Sequence, residues 1–323
     1  MPDIRAASHT DNGQLLALTR ATPMPGTIGL RIDREPDFFR LQSLRGEGEI
    51  LVSEEGGKIH GCISLSHRRV WAAGAERILW YVGDLKVSPD VRNRGVGAAL
   101  AVAALDYLLA RGADLLACVV AQGNRRVLTF LEGKFQIPPF MSLGPLQVLL
   151  LLSSRRRPGG RFQIREGKEQ DAPELAELYR KTCARFQLGP VLSEEGWREA
   201  LAGDPALNQV LVAAENGRVL AAASLFDVQW AKQHVVTSLS KGLALATAPL
   251  RPLLYRSIIL TVPIHTFSEH TWWHLSTNRR SIPTTSIFPG GPKTHREMRS
   301  GLTFTSTANL SRTWMGCWRA TNG

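Results

Sequence analysis

Leu85–Gly97 reads LKVSPDVRNRGVG. Just upstream and into it, Ile78 to Val87 is rich in β-branched and aromatic residues, the composition of a strand. Ser88-Pro89-Asp90 ends that strand, because proline fixes φ and cannot continue a central ladder. From Val96 onward, Ala99, Leu100, Ala103, Leu105 and Leu108 recur at the spacing of an apolar helix. The joint between strand and helix carries Arg92-x-x-Gly95-x-Gly97. The first turn of a helix leaves N–H groups without intrahelical partners, and the helix dipole adds partial positive charge there. Gly95 and Gly97 lack a Cβ, so a ligand can approach the main chain closely. Arg92 and Arg94 add full charges that can pair with phosphate oxygens. The stretch Arg92, Asn93, Arg94, Gly95, Val96, Gly97 is thus suited to cradle a phosphate or pyrophosphate. A solvated Arg/Gly turn before a core helix is the alternative that these six residues leave open.

The surroundings narrow the choice. No Lys-Ser/Thr follows the glycines, so the loop is not a P-loop, and the G-x-G-x-x-G spacing of a dinucleotide fold is absent. The order is strand, Arg-x-x-Gly-x-Gly, helix, strand from Leu115 to Val120, then Asn124 opening another helix. It resembles the core of the GNAT superfamily of N-acetyltransferases, over roughly Asp3 to Leu152 and most strongly over Leu79 to Phe135. That resemblance implies an α/β (α+β) fold: a mixed, mostly antiparallel central sheet flanked by helices. It implies acetyl-CoA as cosubstrate, with its pyrophosphate on the Arg92–Gly97 loop. It further implies that main-chain groups of Leu85, Lys86 and Val87 hold the thioester, and that Asn124 contacts or positions the pantetheine arm. No metal is implied.

Composition and charge set the wider frame. The chain has 323 residues, enough for two domains. An early Asp3 and the lack of an apolar stretch at the start give no expectation of a secretory signal. Cys62, Cys118, Cys183 and Cys317 are scattered without metal-ligand spacing, as expected of a reducing cytoplasm. The net charge of +11 is concentrated late, since residues 251–323 hold nine Lys/Arg against two Asp/Glu. It therefore says little about what the folded part binds.

Along the chain, Asp11 to Arg20 reads as a helix with Asp11 as N-cap, and Glu35 to Leu44 as a second helix. Phe38 and Phe39 on the latter are either core or border an acceptor pocket. Ile50–Val52 and Ile59–Leu65 read as strands joined by a turn at Glu55-Gly56-Gly57-Lys58. The helix after the motif stops near Arg111-Gly112, and a strand region runs from Phe140 to Leu152. Residues 153–160, SSRRRPGG, have linker composition, and their arginine run reads as a solvated hinge more readily than as a nucleic-acid contact.

A shift of 160 residues then matches Ile4-Arg5 with Ile164-Arg165, Asp11 with Asp171, Leu51-Val52 with Leu211-Val212, and Gly57 with Gly217. The second half is therefore expected to begin as another GNAT-like unit over 161–256, after a first domain at 1–152. Its helices are expected at Ala172–Arg185 and Ser193–Ala202. The repeat is incomplete: Arg92, Gly95 and Gly97 fall on Pro252, Tyr255 and Ser257. Residues 257–323 lack periodicity and read as an aberrant, largely unfolded tail. His265, His270 and His274 have no acid or Cys to complete a metal site. Leu243 to Ile264 is apolar, but Pro249, Arg251, Pro252 and Arg256 argue against a membrane span.

Acetyl transfer from a thioester to an amine needs a held thioester, a stabilised oxyanion, a deprotonated amine and a protonated thiolate. Asp84 is the carboxylate on the strand best placed to take the amine's proton; a hydrogen-bonded strand carboxylate without a catalytic role is the alternative. The family often has a Tyr about seven residues after the Asn, where this chain has Leu131, and Tyr81 is the nearby substitute. The acceptor is expected to be a small-molecule or peptide amine, and a homodimer is compatible with the fold. Neither a membrane nor nucleic acid is expected as partner, the latter having only the basic tail in its favour. A non-catalytic acyl-CoA-binding module on the same fold is the competing function.

Overall fold

The computed structural model describes residues 3–26, 28–121, 124–147, 162–203, 208–240, 242, 268–275 and 313–319. The linker at 153–160, the end of the expected strand at 148–152, and the apolar stretch at 243–264 lie outside the described residues.

The first unit is built on one sheet. β1 (Asp3–Ala6), β3 (Glu47–Glu55), β4 (Lys58–Ala72) and β5 (Ala75–Val87) are neighbours in that order and antiparallel. β6 (Leu115–Ala121) joins β5 in parallel. Between them runs α3 (Val96–Ala110), the crossover that a parallel pair requires. Its buried residues Val96, Leu100, Ala104 and Leu108 pack with Leu51, Ile63, Leu65 and Trp80 on one face of the sheet. On the other face, α1 (Asn12–Ala21) and the segment leading to α2 (Arg40–Arg45) bury Leu15, Leu18 and Phe38 against Ile50, Val52, Ile59 and Cys62. Phe38 is thus core. α4 (Arg125–Leu131) and β7 (Met141–Gln147) follow.

Two local expectations change. The helix read over Glu35–Leu44 is only the single turn and a half of α2, because Pro36 lies in it and Asp37 turns its carboxylate back to the Phe39 N–H, 2.9 Å away. Asp11 does not cap α1 through its side chain. Its carboxylate accepts from the Ser8 N–H at 2.8 Å and from both terminal nitrogens of Arg5, at 2.8 and 2.9 Å. It fastens a 3-10 turn (His9–Asp11) between β1 and α1.

The same corner occurs twice. In the second half, β8 (Gln163–Glu166) leads through a 3-10 turn into α5 (Ala172–Cys183), and Arg165 and Lys168 N–H hold Asp171 at 2.6–2.8 Å. α6 (Glu194–Ala202) starts on Ser193, whose Oγ accepts from the Gly196 N–H. β10 (Asn208–Glu215) and β11 (Arg218–Phe226) form a hairpin through Asn216 and Gly217. Its register follows that of β3 and β4. Ala6 faces Leu51 as Glu166 faces Leu211, and a bulge follows Ser53↔Gly61 as one follows Ala213↔Ala221. Gln14 accepts from the Ile59 N–H as Glu174 does from the Val219 N–H.

Strands also join the halves. β2 (Ile28–Asp33), which sequence patterning missed, pairs with β12 (Gln233–Leu239), and the short β9 (Gly189–Pro190) pairs with β4. In the segment 257–323 two strands are described. β13 (Ser268–Leu275) lies between β6 and β7, and β14 (Thr313–Arg319) lies beside β11. The rest of that segment is outside the described residues.

Asp11 is 5% exposed, and its pKa falls from 3.8 to about 2, first through the hydrogen bonds from Arg5. A depressed carboxylate stabilises the fold above its unfolded pKa, and that contribution is lost as pH falls through the folded value. Allowing for the solvent exposure of Arg5, it is worth about 1–2 kcal/mol. Asp11→Asn should therefore lower Tm by a few degrees at pH 7. It should also flatten the loss of stability between about pH 4 and pH 2, as followed by denaturant unfolding across that range.

Candidate active site

β5 belongs to the sheet on both edges only as far as Tyr81. Its pairing with β6 is confined to Trp80↔Leu116 and Tyr81↔Ala117, while its pairing with β4 continues to Val87. Past Tyr81 the two parallel strands part. The edge of Val82–Val87 that faced β6 has no strand beside it among the described residues. Main-chain N–H and C=O groups on such an edge need a partner, which makes the gap a slot for an extended, amide-bearing ligand.

A bulge sharpens the slot. Ser64 faces Gly83 and Cys62 faces Lys86, so Asp84 and Leu85 together oppose Ile63. Asp84 takes φ 51°, a conformation costly for a residue with a Cβ. Its side chain holds it there. Arg34 Nη2 reaches Oδ1 at 2.5 Å, Arg45 Nη1 reaches Oδ2 at 2.5 Å, and the Ser64 Oγ lies 3.1 Å from Oδ2. Burial would raise this carboxyl's pKa, but the facing charges of Arg34, Arg45 and Lys86 hold it well below the usual carboxylate range. A carboxylate held this way is a poor proton acceptor near neutrality. The role of base that the sequence offered to Asp84 is at odds with these contacts, and that of a fastening for the bulge agrees with them. Gly83 beside it admits close neighbours, since a Cβ there would lie 2.7 Å from the Tyr81 ring and 3.4 Å from Arg45.

Because β5 and β6 are parallel, their C-terminal ends lie at the same side of the sheet. From β5 a 3-10 turn (Pro89–Val91) leads to Arg92–Gly95 and then α3. Gly95 is the N-cap residue at φ 82°, and Asn93 is also left-handed at φ 66°. Arg92, Asn93 and Arg94 are exposed. From the end of β6 the chain reaches Asn124, whose Oδ1 caps α4 at the Val127 N–H. The Arg92–Gly97 loop, the slot walls Leu85–Val87 and Asn124 thus cluster at one end of the sheet. Tyr81 stands at the apex where β5 and β6 part, with Arg45 over its ring at 5.1 Å.

Leu131, at the position where the family often has Tyr, is buried with Cys118 and Val120 and offers no proton. Cys62 is wholly buried, and burial pushes its thiol up to about 12. It is no nucleophile. Arg34 and Arg45 escaped sequence reasoning, since nothing near either one signals a partner. Among the described residues no cluster of His, Cys, Asp and Glu could hold a metal. No helix among them is long and apolar enough to cross a membrane.

The parted parallel strand pair thus opens onto a glycine-bearing helix mouth. Residues 18–134 match the model of the Acetyltransferase (GNAT) family, and this part of the chain is a GNAT acetyltransferase domain. That family is one of acetyltransferases. No curated protein matches the sequence. Two solved structures, both of one enzyme, agree in fold. Saccharomyces cerevisiae N-myristoyltransferase with bound myristoyl-CoA is 13% identical over 75% of this chain and 64% of its own, at TM-score 0.50. A second structure of that enzyme with myristoyl-CoA gives 13%, 74%, 59% and 0.50. This chain therefore spans under two thirds of the length of those enzymes. A GCN5-related N-acetyltransferase from Kribbella flavida is 14% identical over 84% of this chain and 71% of its own, at TM-score 0.47.

Two substitutions test this geometry. A Cβ at Gly97 would meet only ordinary contacts, Val87 at 3.4 Å and Phe130 at 3.7 Å. Gly97→Val should therefore leave the fold intact and lower coenzyme A affinity tenfold or more by calorimetry. An unchanged affinity would detach the coenzyme from this helix mouth. Asp84→Asn would leave Arg34, 3% exposed at its side chain, without its counter-charge. We expect a loss of about 3–5 kcal/mol in denaturant unfolding.

Proposed function

We propose that the chain transfers an acetyl group from acetyl-CoA to a primary amine by direct attack in a ternary complex, with the working site in residues 1–152. The observation that carries this reading is the slot between β5 and β6, which opens from Tyr81 toward the left-handed Gly95. Pyrophosphate on the Arg92–Gly97 loop would place an extended pantetheine arm along Val82–Val87. The bulge at Asp84–Leu85 would turn main-chain N–H groups of Leu85, Lys86 and Val87 toward the thioester oxygen. Asn124 would border the arm from the far strand. The amine's proton leaves to water, Asp84 keeps the bulge in shape, and Tyr81 at the apex is the candidate donor to the departing thiolate.

The same reading takes residues 161–256 as a second, incomplete GNAT-like unit after a linker at 153–160. The duplicated Asp11 and Asp171 corners and the matching hairpin registers support it. Residues 257–323 are taken as a tail and the cytoplasm as the compartment. The contrasting reading is an acyl-CoA-binding module without turnover, favoured by the clamped Asp84 and by Leu131 in place of a tyrosine.

Release of free thiol from acetyl-CoA, measured with and without a panel of primary amines, separates the two. Amine-dependent release is expected, and Tyr81→Phe should lower kcat by about tenfold to a hundredfold with little change in coenzyme affinity. Tight coenzyme binding with no amine-dependent release across the panel would establish the non-catalytic module instead.

A further inference from the structure

The acceptor side of the sheet carries more positive charge than it neutralises. Along β4, Ser64, Ser66 and Arg68 point to the same face, and Gly83 and Tyr81 stand opposite the two serines on β5. Arg34 follows the end of β2 and Arg45 ends α2, and both reach Asp84. Arg68, exposed at the rim, places its Nη2 3.4 Å from the Arg45 carbonyl oxygen. Two guanidiniums thus share one carboxylate, and a third, that of Arg68, lies beside Arg45 with no acid paired to it among the described residues. The other acids nearby are engaged or turned away: Asp33 is paired with Arg31, Glu35 with Arg20, and Glu47 stands beside His67.

The same face holds polar atoms that are buried without a hydrogen-bond partner. They are Arg34 Nε, Ser66 Oγ and Gln42 Oε1. Arg34 is 2% exposed, so its orphaned Nε belongs to a cation almost wholly out of water. Gln42 is tied to this place by its Nε2, which donates to the Leu65 carbonyl. Of these, the Arg34 Nε–H and the Ser66 hydroxyl can donate, while Gln42 Oε1 only accepts; the two donors, beside more guanidinium charge than Asp84 neutralises, favour an anion at this face.

Resting on the acyl-transfer reading above, we infer that the acceptor bears a carboxylate close to its amine, as a free amino acid does, and that Arg68 and Arg45 receive that carboxylate. The forked donors of arginine suit a planar carboxylate. The cluster also acts on the nucleophile. An ammonium beside uncompensated cations loses its proton more readily than in water. The neutral amine is thereby favoured although Asp84 is already committed to two arginines. The ammonium proton goes to water. The nitrogen lone pair then forms the N–C bond to the acyl carbon, the C–S bond breaks with its electrons on sulfur, the nitrogen gives up a second proton, and the thiolate takes up one, so that one proton is released overall. The products are the N-acyl amino acid and free coenzyme.

Amino acids and their primary carboxamides make the test, since the amide keeps the amine and loses the anion. The free amine of the amide is also the less basic, so intrinsic reactivity at neutral pH favours the amide, against the inference. We expect kcat/KM for the acids to exceed that for the amides at least tenfold. Arg68→Gln should collapse the ratio toward one, chiefly through KM, and Arg68→Lys should restore part of it. Equal rates for acids and amides, or an equal loss on both in Arg68→Gln, would overturn the inference. Calorimetry of both sets on the protein saturated with coenzyme A gives a second reading independent of turnover. Absence of tighter binding by the acids there overturns it as well. Titration of coenzyme A alone reports separately on the acyl-transfer reading, and the same acid and amide titrations on the free protein still decide the anion site.

Discussion

The parting of β5 from β6 after Tyr81 governs the rest of the structure. One edge of β5 is satisfied by β4 to its end, while the other is released from β6 after two pairs. A central strand with an open edge is a cost that a closed sheet avoids. Here the opening is kept by a bulge at Asp84–Leu85 with a left-handed aspartate at its centre. Such strain persists only where the surroundings over-determine it. Arg34 and Arg45 do so from two different elements, each taking one carboxylate oxygen. Relaxing Asp84 to an extended conformation would pull its carboxylate from both and leave cations in a poorly solvated place.

How far the sequence disclosed this depends on the distance over which each feature is decided. The Arg92–Gly97 loop was legible because its requirements are local: a strand end, a proline break, a left-handed glycine and an apolar helix follow within a dozen residues. The hairpins at Gly57 and Gly217 were legible for the same reason. Asp84 was legible as a carboxylate in an important strand but not in its task, because that task is set by arginines 50 and 39 residues upstream. β2 was missed altogether. Its partner β12 is some two hundred residues away, and the alternation of Ile28, Leu30 and Ile32 with Gly29, Arg31 and Asp33 spans only six residues. The second helix was over-extended because apolar spacing was weighed above Pro36 and Asp37, whose local hydrogen bonding ends helices.

The corner that occurs twice rests on the same few side chains each time. Arg5 with Asp11, and Arg165 with Asp171, make the same fork at the same junction of strand, turn and helix. The hairpins that follow share even the position of their bulge. These are scaffold features, each needing only a few residues in fixed register. The Arg-x-x-Gly-x-Gly loop at Arg92–Gly97 has no counterpart in the sequence after residue 160. A scaffold can therefore recur without its site, since the two rest on different residues.

The second half nonetheless reaches the face of the sheet that carries Asp84. β12 lies along β2, whose last residue precedes Arg34. Gln233 brackets Glu35 from both sides, accepting from its N–H at 3.1 Å and donating to its carbonyl at 3.0 Å. Arg40, at the start of α2, reaches the Trp230 carbonyl at 3.1 Å. The stretch from Ile28 to Arg40 is thus held along its length by residues nearly two hundred positions later, and Arg34 sits in its middle. Arg34 supplies half of the counter-charge that fixes Asp84, and Asp84 fixes the bulge beside the slot. A chain of contacts therefore runs from β12 through β2 and Arg34 to the main chain expected to meet the thioester. The second half thus contributes to the first through its contacts: it braces the strand that leads to Arg34 and, through Arg34, the bulge at Asp84.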